Sequence, residues 1–155
     1  MKMIEYYEGD PKRIQHFVKV HSFAKLIGEG ESLSPEELLT LEAAAYVHDI
    51  GIRAAEAKFG KCSGKLQEQE GPALAEEMLH SLGFEQSVID RVSYLVGHHH
   101  TYTNVDGKDY RILLEADFLV NLYEDEVSKD GVRSAYEKIF VTETGRHICR
   151  TMFDL

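Results

Sequence analysis

Apolar residues recur along this chain at intervals of three and four, the period of a helix lying against a core, and nowhere alternate for long enough to mark a strand. Val20, Phe23, Ala24 and Ile27 form one such stripe; Leu38, Leu41, Ala44 and Ala45 form a second. Val88, Val92, Leu95 and Val96 make a third, and Tyr110, Leu113, Leu114 and Val120 a fourth. Asp10-Pro11 places an N-cap before a proline at the first helical position and predicts a helix to about Gly28 or Gly30. Ser34-Pro35-Glu36-Glu37 repeats the device as a capping box, Ser34 with Glu37, and launches a helix that ends at His48-Asp49, where Gly51 lets the chain turn. Residues 52–65, with Gly60 and Gly64 among Lys58, Lys61 and Lys65, read as a short helix followed by a mobile basic loop. Gly71-Pro72 marks the next start, for a helix reaching about Leu82 and stopped by Gly83, and another runs from about Ser87 to His99. The polar stretch 101–109 reads as a loop around Asp106-Gly107, and two or three helices fill 110–153, interrupted near 128–131 and near Thr142. The expected fold is all-α, a bundle of about six to eight helices in a single domain spanning 1–155.

Polar residues interrupt these stripes on their inward side. His16 shares the face of Val20 and Ile27, His48 that of Leu41 and Ala44, and Asp117 that of Leu113 and Leu114, while Asp49 follows His48 directly. An imidazole beside a carboxylate at the buried end of a helix is costly unless something pairs with it, and a metal ion is the natural candidate. Any one histidine, taken singly, reads more readily as a core residue satisfied by a backbone carbonyl. Two inward histidines and two aspartates from separate helices are harder to satisfy that way.

Composition narrows the partners. A hydrophobic content of 43% over 155 residues is enough for a sizeable core. The net charge of −10, with no basic cluster to offset it, argues against long nucleic acid, although a divalent metal would still reverse the local potential for a small anion. Cys62 and Cys149 belong to no Cys-x-x-Cys arrangement and fit a reducing cytoplasm. Residues 1–10 lack the apolar core of a signal peptide, and no apolar run approaches the ~20 residues that span a bilayer. A cytoplasmic protein without a membrane partner is expected.

His16 with Val20 and Ala24, the run Ala43–Gly51 containing His48-Asp49, and Glu115-Ala116-Asp117 together resemble the HD-domain superfamily of metal-dependent phosphohydrolases, over about Arg13 to Glu124. The resemblance implies an HD-domain-like helical bundle in which His16, His48, Asp49 and Asp117 bind one divalent cation. The mixed imidazole and carboxylate donors favour Fe, Mn, Co, Ni or Zn over Ca or Mg. Members with two metals carry extra histidines between the His-Asp pair and the last Asp. The triplet His98-His99-His100 resembles one of those positions, with His99 on the inward stripe and His98 beside it; the alternative is a solvated histidine run at a helix C-terminus. At the other position Glu70 stands where His is expected, so either Glu70 substitutes as a ligand or the second site is absent. Many members also place a lysine directly after His-Asp-Ile-Gly. Here that residue is Ile52, which leaves Arg53, Lys58, Lys61 and Lys65 as the candidates for phosphate contact.

The activity implied is hydrolysis of a phosphate ester in a nucleotide or other small phosphorylated metabolite by a metal-activated water, with His48 and Asp49 at the reacting centre. Two alternatives stay open: a di-iron oxygenase of the same helical architecture, and a non-catalytic nucleotide-binding module. No Gly-rich phosphate cradle or base-reading motif selects the substrate, and the pattern is silent on oligomeric state.

Overall fold

Proline and a capping side chain open the first two long helices. Asp10 accepts from the Arg13 amide at 3.1 Å before Pro11, and Ser34 with Glu37 closes a reciprocal capping box before Pro35. The computed structural model describes residues 1–155. It contains α1 (Lys2–Tyr6), α2 (Pro11–Gly30), α3 (Pro35–Val47), α4 (Gly51–Phe59), α5 (Gly64–Ser81), α6 (Gln86–Val96), α7 (Lys108–Glu124), α8 (Lys129–Ile139) and α9 (Glu143–Phe153). There is no strand, so the fold is all-α. Eight of these helices run from nine to twenty residues; the five-residue α1 carries no periodic stripe and was not anticipated from the pattern.

The centre is α7. Tyr110, Ile112, Leu113, Leu114, Ala116, Leu119, Val120 and Leu122 bury nearly its whole circumference, as a helix wrapped by others requires. α2 and α3 pack on it and on each other, α6 closes against α3, α4 and α5 lie outside α6, and α8 and α9 cover the remaining flank. Thirty-one buried residues form one contiguous apolar cluster. No helix is long and apolar enough to cross a membrane.

Three boundaries differ from the sequence reading. Gly71-Pro72 lies inside α5, which begins at a Ser63 cap (Ser63 Oγ accepts from Leu66 N, 3.3 Å). Pro72 forfeits only one helical donor there. Gly71 answers a packing need: a Cβ on Gly51 would come within 2.8 Å of the Gly71 backbone nitrogen, and one on Gly71 within 2.6 Å of Val96. The basic loop shrinks accordingly to residues 60–63, with Gly60 left-handed at the end of α4 (φ 67°), Lys58 on α4 and Lys65 on α5. Finally, α6 stops at Val96, and the histidine triplet occupies the turn beyond it.

One buried acid belongs wholly to this architecture. Glu115 on α7 accepts from the Val141 and Thr142 amides at 2.7 and 2.9 Å and from the Thr142 hydroxyl, tying the α8–α9 junction to the central helix.

Candidate metal centre

His48 caps the C-terminus of α3 and is completely buried. Its Nδ1 lies 2.8 Å from the Ala45 carbonyl; a carbonyl can only accept, so Nδ1 carries a hydrogen and Nε2 is the nitrogen turned inward. His99 is set the same way by the Val96 carbonyl at 2.8 Å, and His16 by a carboxylate, Glu124 Oε2, at 2.9 Å from Nδ1. The turn carrying Asp49 is pinned from outside by α1: Tyr7 Oη donates to the Asp49 carbonyl at 2.7 Å and Tyr6 Oη to the Ile50 carbonyl at 3.2 Å.

Three helices and the turn after α3 bring the donors together. His16 Nε2 lies 3.3 Å from His48 Nε2, 3.4 Å from Asp49 Oδ2 and 3.2 Å from Asp117 Oδ1. His48 Nε2 lies 3.5 Å from the same Asp49 oxygen and 3.6 Å from the same Asp117 oxygen. An ion about 2.1 Å from such donors holds neighbouring ligands about 3.0 Å apart at right angles and about 3.4 Å apart tetrahedrally, the range in or near which these separations fall. Asp49 also faces a second group, its Oδ1 standing 3.4 Å from His99 Nε2. His16, His48 and Asp49 could hold one ion, and Asp49, His99 and His100 another, each group presenting ligand atoms within 4.8 Å of one another. Gln67 Oε1 borders the second group, 3.3 Å from His99 Nε2 and 3.0 Å from His100 Nε2.

Protonation reports the same demand for positive charge. Burial pushes the His48 pKa down, but the Asp49 and Asp117 carboxylates outweigh it and hold the ring up at about 9. His16 is likewise raised, burial being overcome by Asp117 and Asp49. Burial raises both aspartates, and the imidazoles more than reverse it, leaving each well below the usual carboxylate range. The carboxylates thus recruit protons onto the inward nitrogens, where a bound cation would supply the same charge. His100 differs: burial, then neighbouring His99, push it down to about 4, which keeps the ring neutral.

Above the cluster opens a polar cleft of about 290 Å³ whose floor is His16, Asp49, His100 and Asp117, and whose walls include Lys12, Arg13, Ile52, Gln67 and Asp125. Arg13 is held by Asp10 and Glu56, each at 2.7 Å.

Of the residues singled out in the sequence, His16, His48, Asp49, Asp117 and His99 meet here. His98 does not: its ring stacks on Tyr94 with centroids 4.1 Å apart and its Nδ1 faces the Tyr94 carbonyl at 2.7 Å. Glu70 pairs instead with Lys58 at 3.0 Å. Arg53 bonds the Tyr6 carbonyl and sits over the Tyr6 ring, and exposed Lys61 and Lys65 are absent from the cleft walls, as are Arg53 and Lys58. The cations that do line it, Lys12 and Arg13, and the donors His100 and Gln67 escaped the sequence reading. Gln67 was hidden by the assumed start of α5, and His100 by a helical wheel extended past the end of α6.

The family model described as HD domain matches residues 13–131. Among curated proteins and solved structures, none matches the chain.

Proposed function

This chain belongs to the HD domain family, and on that premise we propose that it is a metal-dependent phosphohydrolase acting on a phosphate ester of a nucleotide or other small phosphorylated metabolite. The observation that supports this most is the set of 3.2–3.6 Å separations among donors of His16, His48, Asp49 and Asp117, drawn from segments far apart in sequence. These four residues would hold the ion, and Asp49, His99 and His100 a second one. When bound, a divalent transition metal supplies charge for the phosphoryl oxygens and an acidified water as nucleophile.

The chain's own side chains do the positioning. Arg13 and Lys12 stand at the mouth, where an entering phosphate meets its first positive charge. The Asp10 and Glu56 contacts use one hydrogen on each terminal nitrogen of Arg13, leaving Nε–H and two others for a bidentate phosphate contact. Asp49 turns Oδ2 toward His16 and His48 and Oδ1 toward His99, so one carboxylate ties both donor groups and would orient the attacking water between them.

Elemental analysis of the purified protein, followed by a screen of phosphomonoesters with the identified metal restored, tests the reading. We expect metal-dependent phosphate release that persists without oxygen and disappears, along with bound metal, in Asp49→Ala. A wild-type protein that binds no transition metal, or a loaded one that releases no phosphate across the screen, overturns it. A di-iron oxygenase draws support from the sharing of Asp49 between two donor groups, and oxygen uptake coupled to turnover would establish it instead. The missing lysine after Gly51 favours a non-catalytic nucleotide-binding module only while no cation reaches the cleft, and Lys12 and Arg13 both do.

A further inference from the structure

Asp117, Asn121 and Glu124 follow one stripe of α7 at spacings of four and three residues. Asn121 Nδ2 donates to Asp117 Oδ1 at 2.9 Å, and that oxygen lies 3.2 Å from His16 Nε2. Two turns farther along, Glu124 Oε2 lies 2.9 Å from His16 Nδ1. One helix therefore grips both nitrogens of an imidazole that belongs to another.

The other two rings are oriented differently. His48 and His99 each direct Nδ1 to a carbonyl three residues back, Ala45 and Val96, contacts that come with the local turn of backbone. His16 sits within α2, where the carbonyls of the preceding turn serve the helix itself, and its outer partner comes from 108 positions away in the sequence. The second oxygen of that partner is engaged as well: Lys19 Nζ, one turn beyond His16 on α2, lies 2.5 Å from Glu124 Oε1. Only 9% of the His16 side chain and 13% of the Glu124 side chain are exposed, so solvent screens the contact weakly.

We infer that Glu124 is a positioning residue for the metal centre. Its Oε2 accepts the Nδ1 hydrogen of His16, fixes the tautomer that turns the Nε2 lone pair inward, and sets the plane of the ring, while Lys19 holds the carboxylate in place. A carboxylate in this role also makes the imidazole a stronger donor. The inference rests on the reading of His16 as a metal ligand.

Zinc-loaded full-length protein provides the test, with zinc affinity measured by chelator competition and the His16 Nδ1–H resonance followed by ¹⁵N-edited NMR. We expect Glu124→Ala to weaken zinc binding 10–100-fold and to lose the Nδ1–H signal to solvent exchange, with the helical circular dichroism unchanged. Glu124→Gln, which keeps an acceptor oxygen and the side-chain volume, should retain the resonance and lose less affinity than the alanine variant. Lys19→Met should stay within about fivefold of wild type, the range of a partly exposed ion pair. The inference is overturned if Glu124→Ala binds zinc within twofold of wild type. It is equally overturned if Lys19→Met loses as much as Glu124→Ala, which would make the pair a clasp between α2 and α7. Wild-type protein that takes up no zinc defeats the proposed function too, whereas zinc-binding wild type beside an unaffected Glu124→Ala defeats this inference alone.

Discussion

Glu115 and Asp117 stand two residues apart on α7, both buried, yet their surroundings are opposite in kind. Glu115 faces backbone amides and a hydroxyl, neutral donors that satisfy its oxygens without cancelling its charge, and burial raises its pKa above the ordinary 4.5 despite those bonds. Asp117 faces two imidazoles, and burial is outweighed by their hydrogen bonds and charge, so its carboxyl is held far down. One carboxylate is completed by the protein around it; the other is poised for a cation. Burial of an acid is thus no guide to function until the charge of its partners is known.

Exchanging the two roles should be impossible by mutation, and the largest effect is expected at the metal side. If Asp117 holds the ion as proposed, Asp117→Asn keeps the shape but removes a charge facing it, and should cost more in metal affinity than the ~10–100-fold carried by outer partners, with any metal-dependent phosphate release falling in step. Titration of the metal by calorimetry checks it; unchanged affinity would erase the contrast. Glu115→Ala should behave the other way, leaving metal affinity within about twofold. It strands the Val141 and Thr142 amides, at about 1–3 kcal/mol for each group left unpaired, and should lower Tm by several degrees in a thermal melt.

A smaller test uses Gly145, where an added Cβ would collide with the Glu115 carboxylate and come within 2.7 Å of Thr142 Oγ1. Gly145→Ala should destabilise by about 1–3 kcal/mol in a denaturant titration, again with metal binding intact. The smallest effect is in pH. Because the Glu115 pKa is raised on folding, the native state holds its proton more tightly than the unfolded chain does, so this residue subtracts stability as pH rises from 4.5 through the folded value. Glu115→Gln should flatten that part of the stability profile relative to wild type, as read from unfolding midpoints between pH 4 and 7.

Much of this arrangement was written in local signals. The caps at Asp10 and Ser34 and the stripe of α7 predicted three helices, and the inward direction of His16, His48 and Asp117 followed from their spacing to apolar neighbours. What escaped depended on contacts between segments. Gly71-Pro72 imitates a helix start, but its glycine serves the crossing of α4 and α5, which no local pattern announces. Glu115 and Glu124 look alike in sequence, and only distant partners, the Thr142 turn for one and His16 for the other, separate a structural acid from a positioning one. The segment after Asp49 offers the sequence's candidate phosphate contacts, whereas the cleft takes its cations, Lys12 and Arg13, from the first turn of α2.

The near-touching glycines at positions 51 and 71 reach further than packing. Asp49 hangs two residues before the first, and Gln67 one turn before the second. The gap between a carboxylate that joins two donor groups and the amide beside one of them is therefore gauged by two absent methyl groups. Neither glycine offers a ligand atom from a side chain, yet both act as the calipers of the centre.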